Sequence, residues 1–443
     1  MPLDARAVDR GDRAERASAM ALDAAFACVG VGALLPWNAL VTEAPYFARR
    51  FASSRHALVR DSFEGVFAFA YSLSNALGVA ACAKTGAAAR MGNRARLGGA
   101  TLACAAATWT CAAGTRMRTM SADWAFAHVM VVVLVCGGCS ALAQAGGFAA
   151  ASELPPRYAR AVMSGQAASG VAASLAAMIT TAGAGTSSLS SERQAEAYFY
   201  VAAGVLLVCA WATTTLDANP TYARLVSEAR EARAREGQRL ETSALLGCDD
   251  DDIDANLMED VEDGDRVREA SEGNVVDECR DYRSTVIVTF VATLCVFPAI
   301  TSAIESSSGA FGALWSPTLF LLFNVGDLIG RHLASIHPKT PPSGRLLLRA
   351  ALLRFAFIPF LAACNVSTED WRVPKLFKPD IFPIFFISAL AVTNGWIASV
   401  AMMYGPGRVP PSKRQAEGVL LTFCLVGGIF AGTATSLVLT LML

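Results

Sequence analysis

Two ionisable side chains, Asp327 and Arg331, interrupt a run otherwise suited to lipid: LWSPTLFLLFNVGDLIGRHLASI, from Leu314 to Ile336. Four residues apart, they fall on one face of a helix, about one turn from each other. An ionisable group at bilayer depth costs at least about 2.5–3.5 kcal/mol, so such groups pair, face a water-filled cavity, or do both. Other polar and aromatic residues stand out against small apolar neighbours. Asn324 lies three residues before Asp327 on the same face, and Gln144 sits in ALAQAGG, where its amide has room to project. Trp37 follows Pro36, Ser72 and Asn75 are three apart in SLSNALG, and Phe297 precedes Pro298. Such groups imply a polar path through a membrane. Each also has a plainer reading: a salt bridge that locks a bundle, an interhelical hydrogen bond, or an aromatic ring packed at a proline kink.

The elements that must position these groups are helices. Of the 443 residues, 54% are hydrophobic and 17% charged, and the mean hydropathy is +0.41. Globular domains run nearer 45–50% apolar and about 25% charged. Apolar stretches of about 20 residues recur, the length a helix needs to cross a hydrocarbon core. Eleven are read: 20–41, 62–83, 97–114, 122–150, 161–182, 195–216, 283–303, 313–336, 346–364, 380–404 and 415–441. They lack the alternation of a membrane barrel's strands. The expected fold is an all-α polytopic membrane protein.

Four parts are expected: a tail over 1–19, a six-helix bundle over 20–216, a disordered acidic loop over 217–282, and a five-helix bundle over 283–443. The loop's first portion, EAREARAREGQR, mixes charges, and Ser227–Arg239 is read as a short surface helix. Its second portion, CDDDDIDANLMEDVEDGD, is too polar to offset the entropy of ordering. Residues 1–19 lack the compact pattern of a cleavable signal, so the first helix is expected to stay. Basic residues such as Arg90, Arg94, Arg157, Arg160, Lys413 and Arg414 gather in the loops on the N-terminal side. By the positive-inside rule that side is cytoplasmic, and an odd helix count puts the C-terminus outside. Most of the 12 cysteines fall inside apolar stretches and read as small apolar residues. No spacing resembles a metal site.

Several ordered segments resemble the equilibrative nucleoside transporter family. They are LLPWNALVTEAPYF (Leu34–Phe47), ELPPRYARAVMSGQAASG (Glu153–Gly170), VFPAIT (Val296–Thr301), FNVGDLIGR (Phe323–Arg331), RFAFIPFLAACN (Arg354–Asn365) and NGWIASVAMMYGPGRVPP. The resemblance implies eleven helices in a 6+5 arrangement related to the major facilitator architecture. It also implies movement of nucleosides, sometimes nucleobases, down their gradient, with no enzyme chemistry, cofactor, ATP or metal. Expected partners are therefore nucleosides, nucleobases as a further class, and the lipid bilayer. No nucleic acid is expected, and the chain is expected to act as a monomer in the plasma membrane.

On that resemblance Asp327 accepts ribose hydroxyls and Arg331 offers a donor fork. Gln144 matches a substrate-contacting glutamine, and Trp37 lies at the cavity. Val41, one turn on, falls where ligand preference is set. Asn324 is a further hydrogen-bond partner, Phe297 an apolar wall for the base, and Ser72 with Asn75 tune base selectivity. Gln166 is read as packing as readily as lining, Asn38 as capping backbone near Pro36, and Arg354 as an anchor of the cytoplasmic or the bundle-facing network instead of a ligand contact. A proton-coupled symporter on the same scaffold is the alternative, with Asp327 and Glu43 as its candidate carboxylates.

Overall fold

The computed structural model describes residues 5–86, 90–117, 119–182, 188–246, 278–297, 299–309, 311–336, 341–367 and 371–442. The acidic run expected to be disordered lies outside the described residues. The long helices are α1 (Ala5–Thr42), α2 (Phe63–Thr85), α3 (Ala100–Thr115), α4 (Ala122–Ala151), α5 (Arg157–Ala182) and α6 (Ser188–Thr214). They are followed by α7 (Pro220–Leu246) and α8 (Glu278–Ser302), whose winding loosens at 295–297. Then come α9 (Trp315–Leu333), α10 (Gly344–Leu353), α11 (Ile381–Tyr404) and α12 (Arg414–Met442).

Among the described residues, nine helices are long and apolar enough to cross a membrane. Two expected spans fall outside that number because their helices are broken. A π-helical turn, Arg94–Gly99, precedes the 16-residue α3. A 3-10 turn, Arg354–Ala356, separates α10 from the short helix Phe357–Ala362. The outward surface is apolar: Leu77, Ile179, Val201 and Trp211 are each more than 60% exposed. A surface of that kind is matched to hydrocarbon.

Two expectations need correcting. The tail is not separate from the first span, because α1 begins at Ala5. The segment ARAVDRGDRAERASAM is rich in residues that favour helix, so the helix propagates beyond the apolar stretch. The 217–282 segment is also more ordered than read, since α7 is a 27-residue helix. Asn219 caps it by accepting from Tyr222 N at 3.1 Å, and Pro220 takes the first position, where its missing N–H costs nothing. Glu231 and Arg235 pair one turn apart at 3.3 Å, which adds local support.

Lipid gives no hydrophobic drive to helix association, so small residues at the crossings set the packing. Within the first half α1 lies along α5, and α2 along α4. In the second half α9 lies along α11. The α9–α11 crossing is backbone to backbone: a Cβ on Gly395 would collide with the carbonyl oxygen of Asp327, and one on Gly330 with that of Val392. That approach puts Asn394 beside Asp327. The halves meet where α5 packs against α9, and where α12 packs against α2 and α4.

The helix α7 lies across one end of the molecule, hereafter the α7 face. It is tied to the first half through Arg224–Glu15 at 2.7 Å and through an ion pair between Arg233 and Glu153. It is tied to the second half by Arg233 Nε donating to Pro411 O at 3.2 Å and by Ser412 N donating to Glu236 at 2.9 Å. At the same face Gln415 Nε2 donates to Glu153 at 2.5 Å, directly joining the halves.

Candidate functional site

Asp327 and Arg331 are both 5% exposed. Arg331 Nε donates to Asp327 Oδ2 at 2.7 Å, and Asn394 Nδ2 donates to Oδ1 at 2.7 Å. Both carboxylate oxygens are therefore engaged. Arg331 Nη1 crosses to the other half and donates to the carbonyl oxygen of Met163 on α5 at 2.6 Å. The pair is thus a junction between halves as well as an internal salt bridge.

Behind it lies a second buried cation. Arg354, 2% exposed, donates to Thr289 O and to Thr293 Oγ1, each at 2.6 Å, and to Leu390 O at 3.1 Å. Thr293 Oγ1 donates to Asn394 Oδ1 at 2.8 Å. Asn394 therefore links the Arg354 cluster to Asp327, with its oxygen turned to one and its amide nitrogen to the other. The expected bundle-facing network of Arg354 is this one. Asn394 escaped the sequence reading because its role comes from the Gly395 crossing, which no local pattern reveals.

The polar groups of the first half are organised along α5. Gln166 Nε2 reaches Gln144 Oε1 at 3.4 Å, Asn38 Nδ2 donates to Ser169 Oγ at 2.9 Å, and Asn324 Nδ2 donates to Ser174 Oγ at 2.8 Å. Met163, Gln166, Gly170 and Ser174 recur every three or four residues on one stripe of α5, which meets α9 at Met163, Gly170 and Ser174 and α4 at Gln166, while Ser169 meets α1. Asn38 is corrected here: it bridges α1 to α5 and does not cap backbone near Pro36. Ser169 and Ser174 were missed, although their spacing in SGQAASGVAAS was the available signal.

Trp37 is half-buried, with its ring 4.9 Å from that of Tyr71 on α2. Val41, one turn further, is 45% exposed. Ser72 is half-buried beside Tyr71. Asn75 is buried, and its amide donates to Gly137 O on α4 at 3.1 Å. That bond spends the Asn75 amide on the α2–α4 contact. Phe297 stacks on Phe323 with centroids 4.0 Å apart and planes 15° apart, and Phe320 lies 4.9 Å away. Phe323 is one turn before Asp327, so this aromatic wall adjoins the polar cluster. Tyr71, Phe320 and Phe323 were not singled out from sequence.

Just beyond α1, Glu43 is buried and its Oε1 has no hydrogen-bond partner. Burial pushes its carboxyl up to about 7, with Arg49 opposing in part. Among the described residues no group of three or more His, Cys, Asp or Glu side chains is placed to hold a metal ion.

The arrangement offers donors, acceptors and flat aromatic faces between two helical halves, groups of the kinds that can recognise a polar ligand. Comparison with known proteins agrees with that reading. The family model described as "Nucleoside transporter" matches residues 129–441. The human equilibrative nucleoside transporter 2 is 30% identical over 96% of this chain and 98% of its own length. The rat equilibrative nucleoside transporter 1 is 28% identical over 94% and 95%. Among solved structures, the major facilitator superfamily proton:xylose symporter XylE aligns with a TM-score of 0.57 at 14% identity, covering 96% of this chain and 88% of that one. That likeness shows the fold alone. With its ordered motifs, its helical halves and the matched residues taken together, the chain belongs to the equilibrative nucleoside transporter family.

Proposed function

We propose that this protein carries nucleosides across a membrane down their gradient, by alternating access between the half containing α1–α6 and the half containing α8–α12. The observation that carries the reading is the Asp327–Arg331 pair, held on α9 against Met163 of α5 where the halves meet. A carboxylate suits the adjacent hydroxyls of a ribose, and charge-assisted bonds are roughly twice as strong as neutral ones. Arg331, Asn324, Gln144 and Trp37 complete the site in this reading, with Val41 and Ser72 at its margin and the Phe297–Phe323 stack as its apolar wall. Asn75 acts through the α2–α4 contact that shapes the site. When substrate enters, Asp327 exchanges its bond to Asn394 for the ribose, and Arg331 releases Met163 O as the halves part.

The α7 face is the cytoplasmic one in this proposal, and the structure is the state closed on that side. The two broken helices cross with the other nine, which gives eleven spans and an external C-terminus. The protein works as a monomer in the plasma membrane, and nucleobases are a second substrate class. Coupling to protons is not favoured: the relatives are equilibrative transporters, and Asp327 is held between Arg331 and Asn394. Uptake of labelled adenosine and uridine into proteoliposomes, with and without an imposed pH gradient and a protonophore, tests this. The interior concentration should rise to the exterior one and stop, whatever the pH gradient. Accumulation beyond equality that the protonophore abolishes would overturn it.

A further inference from the structure

Among the described residues the Asp327 carboxylate has two hydrogen-bond partners, the charged Arg331 and the neutral Asn394. Arg331 is placed by helix geometry, one turn further along α9. Asn394 is not so constrained. Its amide oxygen and nitrogen trade places when the end of the side chain turns over, and the two orientations mean opposite things to a carboxylate. One presents a donor; the other presents a carbonyl oxygen that repels. Whatever selects between them belongs to the site.

The selecting groups lie on α8 and at the 3-10 turn. Asn394 Oδ1 accepts from Thr293 Oγ1 at 2.8 Å and from Arg354 Nη2 at 3.4 Å. A guanidinium has donors only, so a turned amide would set its nitrogen against that cation. Arg354 Nη2 also donates to Thr293 Oγ1 at 2.6 Å, leaving the hydroxyl its single proton to give. Two acceptors are in reach of that proton, Asn394 Oδ1 at 2.8 Å and Thr289 O at 3.0 Å. Thr289 O already accepts from Arg354 Nη1 at 2.6 Å, so Asn394 is the better partner. Thr289, Thr293, Arg354 and Asn394 are all buried, away from competing water.

We infer that Thr293 is a positioning residue for ribose recognition: backed by Arg354, it holds the Asn394 amide nitrogen toward Asp327 and so fixes the carboxylate that meets the sugar hydroxyls. With Arg331 on Oδ2 and Asn394 on Oδ1, both carboxylate oxygens are aimed before substrate arrives. When a ribose displaces Asn394 from Oδ1, Thr293 and Arg354 keep the amide turned as before. Its freed N–H then remains a donor beside Asp327, and no carbonyl oxygen swings in to repel it. The inference rests on the ribose reading of Asp327 above. Thr289, one turn earlier on the same helix, has a buried hydroxyl without a hydrogen-bond partner, which supplies a matched control.

Initial uptake of adenosine and of 2′,3′-dideoxyadenosine into proteoliposomes is compared in wild type, Thr293→Val, Thr293→Ser, Thr289→Val and Asp327→Asn. The readout is the ratio of the two rates, because a lesion that merely lowers the active fraction reduces both alike. Thr293→Val keeps the side chain's shape and should lower that ratio about fivefold, the worth of one neutral hydrogen bond. Thr293→Ser should restore it, and Thr289→Val should match wild type. Adding Thr293→Val to Asn394→Ala should lower the ratio no further than Asn394→Ala alone, since the hydroxyl acts through that amide. A wild-type ratio in Thr293→Val beside a lost one in Asp327→Asn would overturn the inference and keep the ribose contact. Equal losses in Thr289→Val and Thr293→Val, or additive losses in the double variant, would do the same. A wild-type ratio in Asp327→Asn would overturn the ribose contact, and the inference with it.

Discussion

Replacing Asp327 by Ala removes the acceptor of two 2.7 Å hydrogen bonds and leaves Arg331, 5% exposed, with only Met163 O and the Met163 sulfur, at 2.6 and 3.5 Å. Breaking a buried ion pair by removing one partner costs about 3–5 kcal/mol, largely because a charge is left uncompensated. Against a total stability of about 5–15 kcal/mol, that is a large fraction. Asp327→Ala should therefore lower the unfolding midpoint as well as abolish nucleoside uptake. Removing both charges avoids the orphan: apolar replacement of a whole buried pair is often neutral or stabilising. Asp327→Leu with Arg331→Met should recover most of the lost stability while nucleoside uptake stays abolished. Unfolding midpoints of the purified single and double variants, read beside proteoliposome uptake, decide it. A double variant no more stable than Asp327→Ala would refute the orphaned-charge reasoning, and a transporting double variant would remove the pair from the site.

Gly395→Ala drives a methyl into the carbonyl oxygen of Asp327; overpacking of this kind costs about 1–3 kcal/mol, measured as a lowered unfolding midpoint, and uptake should fall with it. Asn38→Ala removes the bond to Ser169 and should cost about 1 kcal/mol, read by the same melt, whereas no change would return Asn38 to a backbone-capping role. For Glu43, the folded carboxyl is raised from 4.5 to about 7, so folding favours the protonated form. Stability is then lost as pH rises from about 4.5 to about 7, and Glu43→Gln should remove that loss. The variant should melt roughly 1–3 kcal/mol more stable than wild type at pH 8 and nearly equal at pH 4.5; a difference independent of pH would refute the assignment.

The parts of this architecture legible in the sequence are those written in composition and short spacing. Hydropathy marked eleven stretches, and nine of them are helices long and apolar enough to cross a membrane among the described residues, because lipid demands about 20 apolar residues from each. It did not reveal the π turn at Arg94–Gly99 or the 3-10 turn at Arg354–Ala356, since a change in backbone winding leaves hydropathy unaltered. The helix α7 was underestimated because its charges read as solvation. Its capping Asn219-Pro220 and the Glu231–Arg235 spacing were present, but its anchors Glu15, Glu153 and Pro411 are distant in sequence. The Asp327–Arg331 pairing was legible from a spacing of four, and the Asn324–Ser174 bond was not. Asn394 is the clearest omission, set beside Asp327 by a glycine crossing between helices over 60 residues apart.

The central claim is that Asp327 meets the ribose of a nucleoside as it passes. Initial uptake of adenosine and 2′,3′-dideoxyadenosine, compared in wild type and Asp327→Asn, addresses that contact directly because it perturbs both of its ends. Wild type should discriminate strongly against the dideoxy compound, and the variant should lose most of that discrimination along with its adenosine uptake. Equal discrimination by the two proteins would contradict the account.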